Sequence, residues 1–435
     1  MYNEDTLNLN VINEDVKIID LAAEMSNYDE EKIKETCNNL NDEQLAIVLE
    51  QCDEKVIRKI VKVLDNKRIL NIFSYMAKDD IVDILGIIDI GNAKQLINLM
   101  KEGDQKEITE LLGYKDDTAG GIMTTEYIAI YNTLTVVETL KKIKEIAPKT
   151  ELIDTIFIMN KRKQLVGTVK LRDILIADEN EKIAQITNGN FIYVDPETDQ
   201  EEVALLASKY DLNVIPVLNK RKVMLGIITI EDIVDVMVEE QTEDVLQMGG
   251  VDKEEKLDST VWQSVKMRFP WLFINLITAF LAAMTVKAFE STIAKVVALS
   301  SIMSIVTGMG GNAGTQTVSI IIRNIAMGKI KLKDTWKLLL KEFLLGLING
   351  AGIGLITGVV VYFIYGNFYL GLIIFLAMIG NLIFAGVTGL LIPLLLHKLH
   401  FDPALSSSIF LTTATDVLGF FFFLSLAKLF LPLLV

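Results

Sequence analysis

One carboxylate, Asp416, stands in the middle of the last apolar run of this 435-residue chain, Ala404 to Leu433. A charge at bilayer depth is costly, so an acid there is by default a candidate ion or proton site. The run's other charge, Lys428, lies twelve residues on. At the rise of a helix that is about 18 Å, which excludes an intrahelical pair. Thr412, Thr413 and Thr415 add oxygens beside the acid. Carboxylate, hydroxyl and carbonyl oxygens suit a hard cation such as Mg2+, which often binds through its own waters. A second candidate precedes it, the stretch Gly308-Met-Gly-Gly-Asn-Ala-Gly-Thr-Gln316 within another apolar segment. Gly310 and Gly314 would let helices approach closely, but Asn312, Thr315 and Gln316 need partners or a watery cavity in hydrocarbon. Together the two stretches read as a cation pathway. The stripe Gly346, Gly350, Gly354 and Gly358, whose one polar companion is Asn349, reads as packing instead.

Other acids fall into patterns. Asp232, Asp235, Glu239 and Glu243 are spaced 3, 4 and 4, which puts all four on one helical face. Asp79, Asp80 and Asp83 form another cluster. Alone, either is an ordinary solvated face. Two such surfaces would repel each other, and divalent cations would draw them together. His397 and His400 flank Lys398, but without Cys or further His nearby they read as loop residues rather than a zinc site. Residues 1–268 carry 32 Lys and Arg against 52 acids, net −20, and the remainder carries 10 against 5. So acidic a half is a poor partner for nucleic acid or anionic lipid. No nucleophile, base and oxyanion arrangement is visible, so an enzyme is not expected. Cys37 and Cys52 form no motif, as suits a reducing cytosol. The first ten residues lack a basic start and an apolar run, so no signal peptide is expected.

The elements that must position these residues fall into three regions. From Leu45 to about Leu85 a twelve-residue repeat places Leu45, Ile57, Ile69 and Ile81 four positions before Leu49, Val61, Phe73 and Leu85, with Asn41, Asp53 and Asp65 where N-caps belong. Such repeats stack into a superhelix. A duplication follows over 118–238, where Asn160-Lys-Arg-Lys163 recurs as Asn219-Lys-Arg-Lys222, Gly167 as Gly226 and Asp173 as Asp232, all offset by 59. Each copy reads as strand, charged turn, strand, helix. Beyond Trp262 the pattern predicts five membrane spans, at about 269–289, 293–322, 338–364, 370–396 and 404–433. Arg323, Lys329, Lys331, Lys333 and Lys337 crowd the loop between the second and third. The positive-inside rule then puts that loop and the acidic half in the cytoplasm and the C-terminus outside.

The duplicated region resembles a tandem pair of CBS modules, a fold that commonly senses adenine nucleotides. Gly226-Ile-Ile-Thr229-Ile-Glu-Asp232 is similar to that family's nucleotide motif, which implies that Thr229 and Asp232 hold the ribose of ATP. Lys170 replaces the threonine in the first copy, so no nucleotide is expected there. Taken whole, the chain resembles the MgtE family of Mg2+ channels. The resemblance rests on Thr118-Ala-Gly-Gly-Ile-Met-Thr124, on Gly308 to Gln316 and on Thr412-Thr-Ala-Thr-Asp-Val-Leu-Gly-Phe420, and it runs from about Met25 onward. It implies a homodimer in the plasma membrane with one pore on the two-fold axis, lined by spans two and five of both subunits. There Asp416 would meet hydrated Mg2+, with Asn312, Thr412 and Thr413 nearby. It further implies a feedback gate in which cytosolic Mg2+ binds Asp79, Asp80 and Asp83 on one surface and Asp232, Asp235, Glu239 and Glu243 on another, closing the pore. One departure is Ser304, where the family usually has a proline that would kink the helix.

The expected architecture is therefore a disordered tail (1–15), an α-helical superhelical N domain (16–117), an α/β tandem CBS pair (118–244), a connecting helix (245–268) and a five-helix α transmembrane domain (269–435). An ion-coupled secondary transporter for divalent cations, or a membrane-tethered nucleotide sensor, are the rival readings. The sensor has no use for Asp416.

Overall fold

The computed structural model of the chain describes residues 14–147, 150, 153–253, 255, 259–330, 335–399 and 401–434. Most of the expected tail, positions 254 and 256–258 of the expected connecting helix, Lys331 and Lys333 of the basic loop, and His400 lie outside the described residues. The chain divides into two compact units, Met1–Met237 and Val238–Val435.

The first unit opens with eight short helices: α1 (Glu14–Met25), α2 (Glu30–Asn39), α3 (Asp42–Gln51), α4 (Glu54–Val63), α5 (Asn66–Phe73), α6 (Lys78–Ile87), α7 (Ile90–Leu99) and α8 (Glu102–Leu111). The twelve-residue repeat is their cause, because each paired stripe is buried from Leu45 and Leu49 through to Ile81 and Leu85. Each helix packs on the next but one, α1 on α3 and so on to α6 on α8, which makes a superhelix. The caps follow the sequence in part. Asn41 and Gln44 form a reciprocal capping box at α3 and Asp65 accepts from the Arg68 amide at α5, whereas Asp53 makes no cap bond to α4 and accepts instead from the Ser26 hydroxyl at 3.2 Å. Arg68 ties neighbouring helices together, donating from Nη2 to the Cys37 and Leu40 carbonyls at 2.8 Å each and from Nε to Asp42 at 3.1 Å.

The duplicated region supplies β1 (Ala129–Tyr131), α9 (Val136–Ile146), β2 (Thr155–Met159), β3 (Leu165–Lys170), α10 (Leu171–Ile176), α11 (Gln200–Tyr210), β4 (Val214–Leu218), β5 (Met224–Thr229) and α12 (Ile230–Met248). β2 pairs antiparallel with β3 and β4 with β5, and β1 joins β2 in parallel. The copies repeat in backbone detail. Lys163 and Lys222 both take left-handed φ, 60° and 59°, at the hairpin turns. A Cβ on Gly226 would stand 2.6 Å from the Thr124 carbonyl oxygen and one on Gly167 would overlap that of Asn188, so only glycine admits the crossing segment in either copy.

The second unit begins within α12 and continues through α13 (Val261–Lys287), α14 (Glu290–Lys295), α15 (Ala298–Ala326), α16 (Thr335–Tyr365), α17 (Phe368–Lys398), α18 (Pro403–Leu429) and α19 (Leu431–Leu434). Among the described residues four helices are long and apolar enough to cross a membrane: α13, α16, α17 and residues Ser408–Leu429 of α18. The remaining expected span, the second, corresponds to α15, whose 29 residues give ample length. Its Ser, Thr, Gly, Asn and Gln keep it below that apolarity, so hydropathy does not carry the count of five. α15 also runs unbroken through Ser304, whose hydroxyl bonds back to the Ser301 carbonyl at 3.3 Å. The expected connecting segment, 245–268, covers the end of α12 and the start of α13. Arg268 on α13 holds Glu255 in a bidentate pair with Nε at 2.8 and 2.9 Å.

The glycine stripe of α16 packs as its pattern implies. A Cβ on Gly346 or Gly350 would stand 2.6 Å from the Cα of Ile383 or Ile379 on α17, and one on Gly358 would stand 2.8 Å from the Gly371 carbonyl. The two backbones meet because nothing intervenes.

Candidate functional site

α15 has two faces. Leu299, Ile302, Val306, Gly310, Gly314 and Thr317 are buried in the bundle, whereas Ser301, Ser304, Gly308, Asn312, Thr315 and Gln316 are exposed. At 1.5 Å per residue this outward polar stripe spans about 22 Å, most of a hydrocarbon core. Hydroxyls and amides so placed cannot face lipid without cost, so the face belongs against water or another chain. The helix packs on α18, which carries Asp416 half-buried with Thr412 and Thr413 one turn away. Among the described residues no charged neighbour or hydrogen-bond partner acts on Asp416. The hydroxyls of Thr412, Thr413 and Thr315 each donate to the carbonyl four residues back, at 2.8, 2.7 and 2.9 Å. Their donors are spent and their oxygen lone pairs remain, which is the state a cation or its water shell can use. Thr415 turns inward instead and is buried.

Two further residues of this bundle were missed. Asn381 on α17 is fully buried and donates from its amide to the Val306 carbonyl of α15 at 2.5 Å. It is the only amide in the run Leu370 to Leu396, a signal of the kind that singles out Asp416. Glu342 on α16 accepts from the Thr317 hydroxyl at 3.0 Å. It sits at the edge of the third span beside Lys341.

In the first unit, Asp79 at the start of α6 faces Asp232 at the start of α12. Burial, then the Asp232 charge, pushes the Asp79 carboxyl up to about 6, against a lesser opposing pull from the Thr124 hydroxyl, and Oδ1 of Asp79 is buried without a hydrogen-bond partner. Burial raises Asp232 also. Glu126 adds to the strain on Asp79, and Glu50 on α3 is raised by burial and by Asp79. These two acids come from separate elements, so no spacing pattern could have named them. Asp83, Asp235 and Glu239 are exposed and Asp80 is half-buried, while Glu243 accepts from the Gln247 amide and pairs with Lys253 at 3.2 Å. In the second unit burial, then the Asp402 and Glu243 charges, raises Asp244 to about 6. Among the described residues no three His, Cys, Asp or Glu side chains stand grouped to hold a metal ion. What the fold brings together is a charge conflict rather than a finished cage.

Thr229 donates to Oδ2 of Asp232 through its hydroxyl at 2.6 Å and its amide at 3.1 Å. The amide bond is half of a capping box at the head of α12. Gly226, three residues before Thr229, lies against the Thr124 backbone.

A helical-repeat domain, a CBS pair and an apolar bundle with an intramembrane acid beside a polar helical stripe together define a membrane transport protein for cations. Comparison with known proteins gives the same class. The divalent cation transporter family model matches residues 303–426, the MgtE intracellular N domain 16–117, and the CBS domain 119–180 and 183–239. Magnesium transporter MgtE of Enterococcus faecalis is 36% identical over 325 residues, 75% of this chain and 72% of that one. The MgtE of Thermus thermophilus is 35% identical over 330 residues, with the same shares. A crystal structure of the cytosolic domain of the Mg2+ channel MgtE in complex with ATP is 32% identical, covers 50% of this chain and 90% of that one, and has a TM-score of 0.49. The chain belongs to the MgtE family of magnesium transporters.

Proposed function

We propose that the chain is a homodimeric, Mg2+-selective channel of the plasma membrane that admits Mg2+ to the cell and is closed by Mg2+ on the cytosolic side. The observation that carries this reading is the outward polar stripe of α15 beside the unpaired Asp416 of α18. Two such faces across a two-fold axis enclose a wet path, and a second copy is what spares the stripe contact with lipid. A hydrated Mg2+ gives its waters to Asp416 and to the lone pairs of Thr412, Thr413 and Asn312. The cytosolic acids supply the gate. Unit charges 4 Å apart repel by about 1 kcal/mol in water and several times that near a protein surface. Asp79 and Asp232 therefore resist their own approach, and Mg2+ reverses the sign, with Asp80, Asp83, Asp235, Glu239 and Glu243 adding charge to the same response. ATP would be held at Thr229 and Asp232, close to the buried Gly226, and would tune the gate from the second CBS copy. The N-terminal domains are cytoplasmic in this reading and the C-terminus lies outside.

Asp416→Asn keeps shape and removes charge. In proteoliposomes the variant should lose Mg2+ uptake while remaining a dimer, and unchanged flux would remove Asp416 from the path. Unitary current steps from the wild type support the channel; turnover without steps favours the ion-coupled carrier.

A further inference from the structure

The three signature features of the bundle, the glycine-rich stretch of α15, the acid-bearing stretch of α18 and the lone amide of α17, meet at one point. The Asn381 side chain occupies the space that two glycines leave open. A Cβ on Gly310 would overlap its Nδ2, and a Cβ on Gly419 would stand 2.9 Å from its Oδ1 and 3.2 Å from the Thr307 methyl. Each glycine lies in one of the two stretches, Gly310 two residues before Asn312 and Gly419 three residues after Asp416. The amide donates to the Val306 carbonyl at 2.5 Å, while Oδ1 is buried and accepts nothing. An apolar residue would fill such a slot without an orphaned oxygen. An amide has one property that a hydrocarbon lacks, a directed bond that fixes the rotation of the helix it reaches.

From this we infer that Asn381 is a positioning residue for ion conduction, resting on the pore reading above. Its bond to Val306 fixes α15 about its own axis, and its wedge between Gly310 and Gly419 fixes α15 against α18. At 100° per residue, a turn of α15 by a fraction of one residue swings Asn312 and Thr315 away from the side that Asp416 faces. One glycine of each stretch, Gly310 and Gly419, is then explained by a residue in neither. Glu342, bonded to Thr317 further along the same buried face of α15, holds the helix at a second point.

The test uses the full-length dimer in proteoliposomes with four variants: Asn381→Leu, Gly310→Ala, the double variant Asn381→Ala with Gly310→Ala, and Asp416→Asn as control. Positioning predicts that Asn381→Leu lowers Mg2+ flux per assembled dimer at least tenfold and alters the ratio of Mg2+ to Co2+ uptake, at near wild-type melting temperature. Gly310→Ala alone should impair assembly. The double variant gives the new methyl the vacated space, so it should regain assembly and melting temperature but not flux. Wild-type flux in the double variant would show that Asn381 only fills volume and would overturn the inference. So would a loss in Asn381→Leu that merely tracks the amount of assembled dimer, with the ion ratio unchanged. If Asp416→Asn transports normally, the pore reading fails instead, and the two failures are told apart.

Discussion

Asp79→Asn should make the Mg2+-free protein more stable while weakening its response to Mg2+. The Asp79 carboxyl is raised from 3.8 to about 6 by burial and by Asp232. For an acid raised on folding, the folded state holds its proton to higher pH than the unfolded one, so stability falls as pH rises from about 4 through 6 and the loss is complete above that. About two units at 1.36 kcal/mol each cost the folded state about 3 kcal/mol at pH 7, about half that at pH 5, and little at pH 4. Asparagine carries no such cost, and its absence also eases Asp232. Amide hydrogen exchange on the full-length protein reads the difference locally in α6 and the start of α12, where none of the three tryptophans, Trp262, Trp271 and Trp336, would report. At pH 7 without Mg2+ the variant should exchange slower, by up to about a hundredfold for 3 kcal/mol. The ratio to wild type should shrink toward pH 5. Added Mg2+ should then protect wild type and leave the variant nearly unchanged. Equal exchange at pH 7, or a ratio that grows as pH falls, would refute the account of Asp79 as a strained, ion-awaiting carboxylate.

Gly350→Ala should lower the yield of folded protein, since its methyl meets the Ile379 Cα at 2.6 Å and overpacking costs about 1–3 kcal/mol; Gly352→Ala, with nothing within 4 Å, should match wild type in melting temperature. Arg68→Ala strips donors from the Cys37 and Leu40 carbonyls, which should cost about 2–3 kcal/mol and appear as faster amide exchange in α2 and α5 with Mg2+ flux retained.

Which features could be read in advance depends on the length scale of the force that makes them. The helical repeats were legible because a helix buries residues four apart, and the Leu45 to Leu85 pairs record that period directly. The CBS duplication was legible for a related reason. Left-handed turns at Lys163 and Lys222 and crowded glycines at 167 and 226 are local needs that leave the same residue at the same offset. Hydropathy marked the membrane helices until function intruded. α15 departs from membrane-like apolarity because one of its faces is polar.

The residues that escaped share a different cause. Glu50 and Glu126 reach the neighbourhood of Asp79, which the sequence did single out, from other segments, and their repulsion with it is a property of the fold that no single segment displays. Asn381 is the sharper case. Its chemistry was visible, one amide in an apolar helix, but the meaning lies in two glycines 71 residues before it and 38 after, and each glycine looked sufficient to itself as a packing motif. Small residues at a membrane helix contact are ordinarily read as making room for a backbone. Here they make room for a side chain, and that distinction separates the α16 stripe, where backbone meets backbone, from Gly310 and Gly419, where a hydrogen-bonding group sits between two helices.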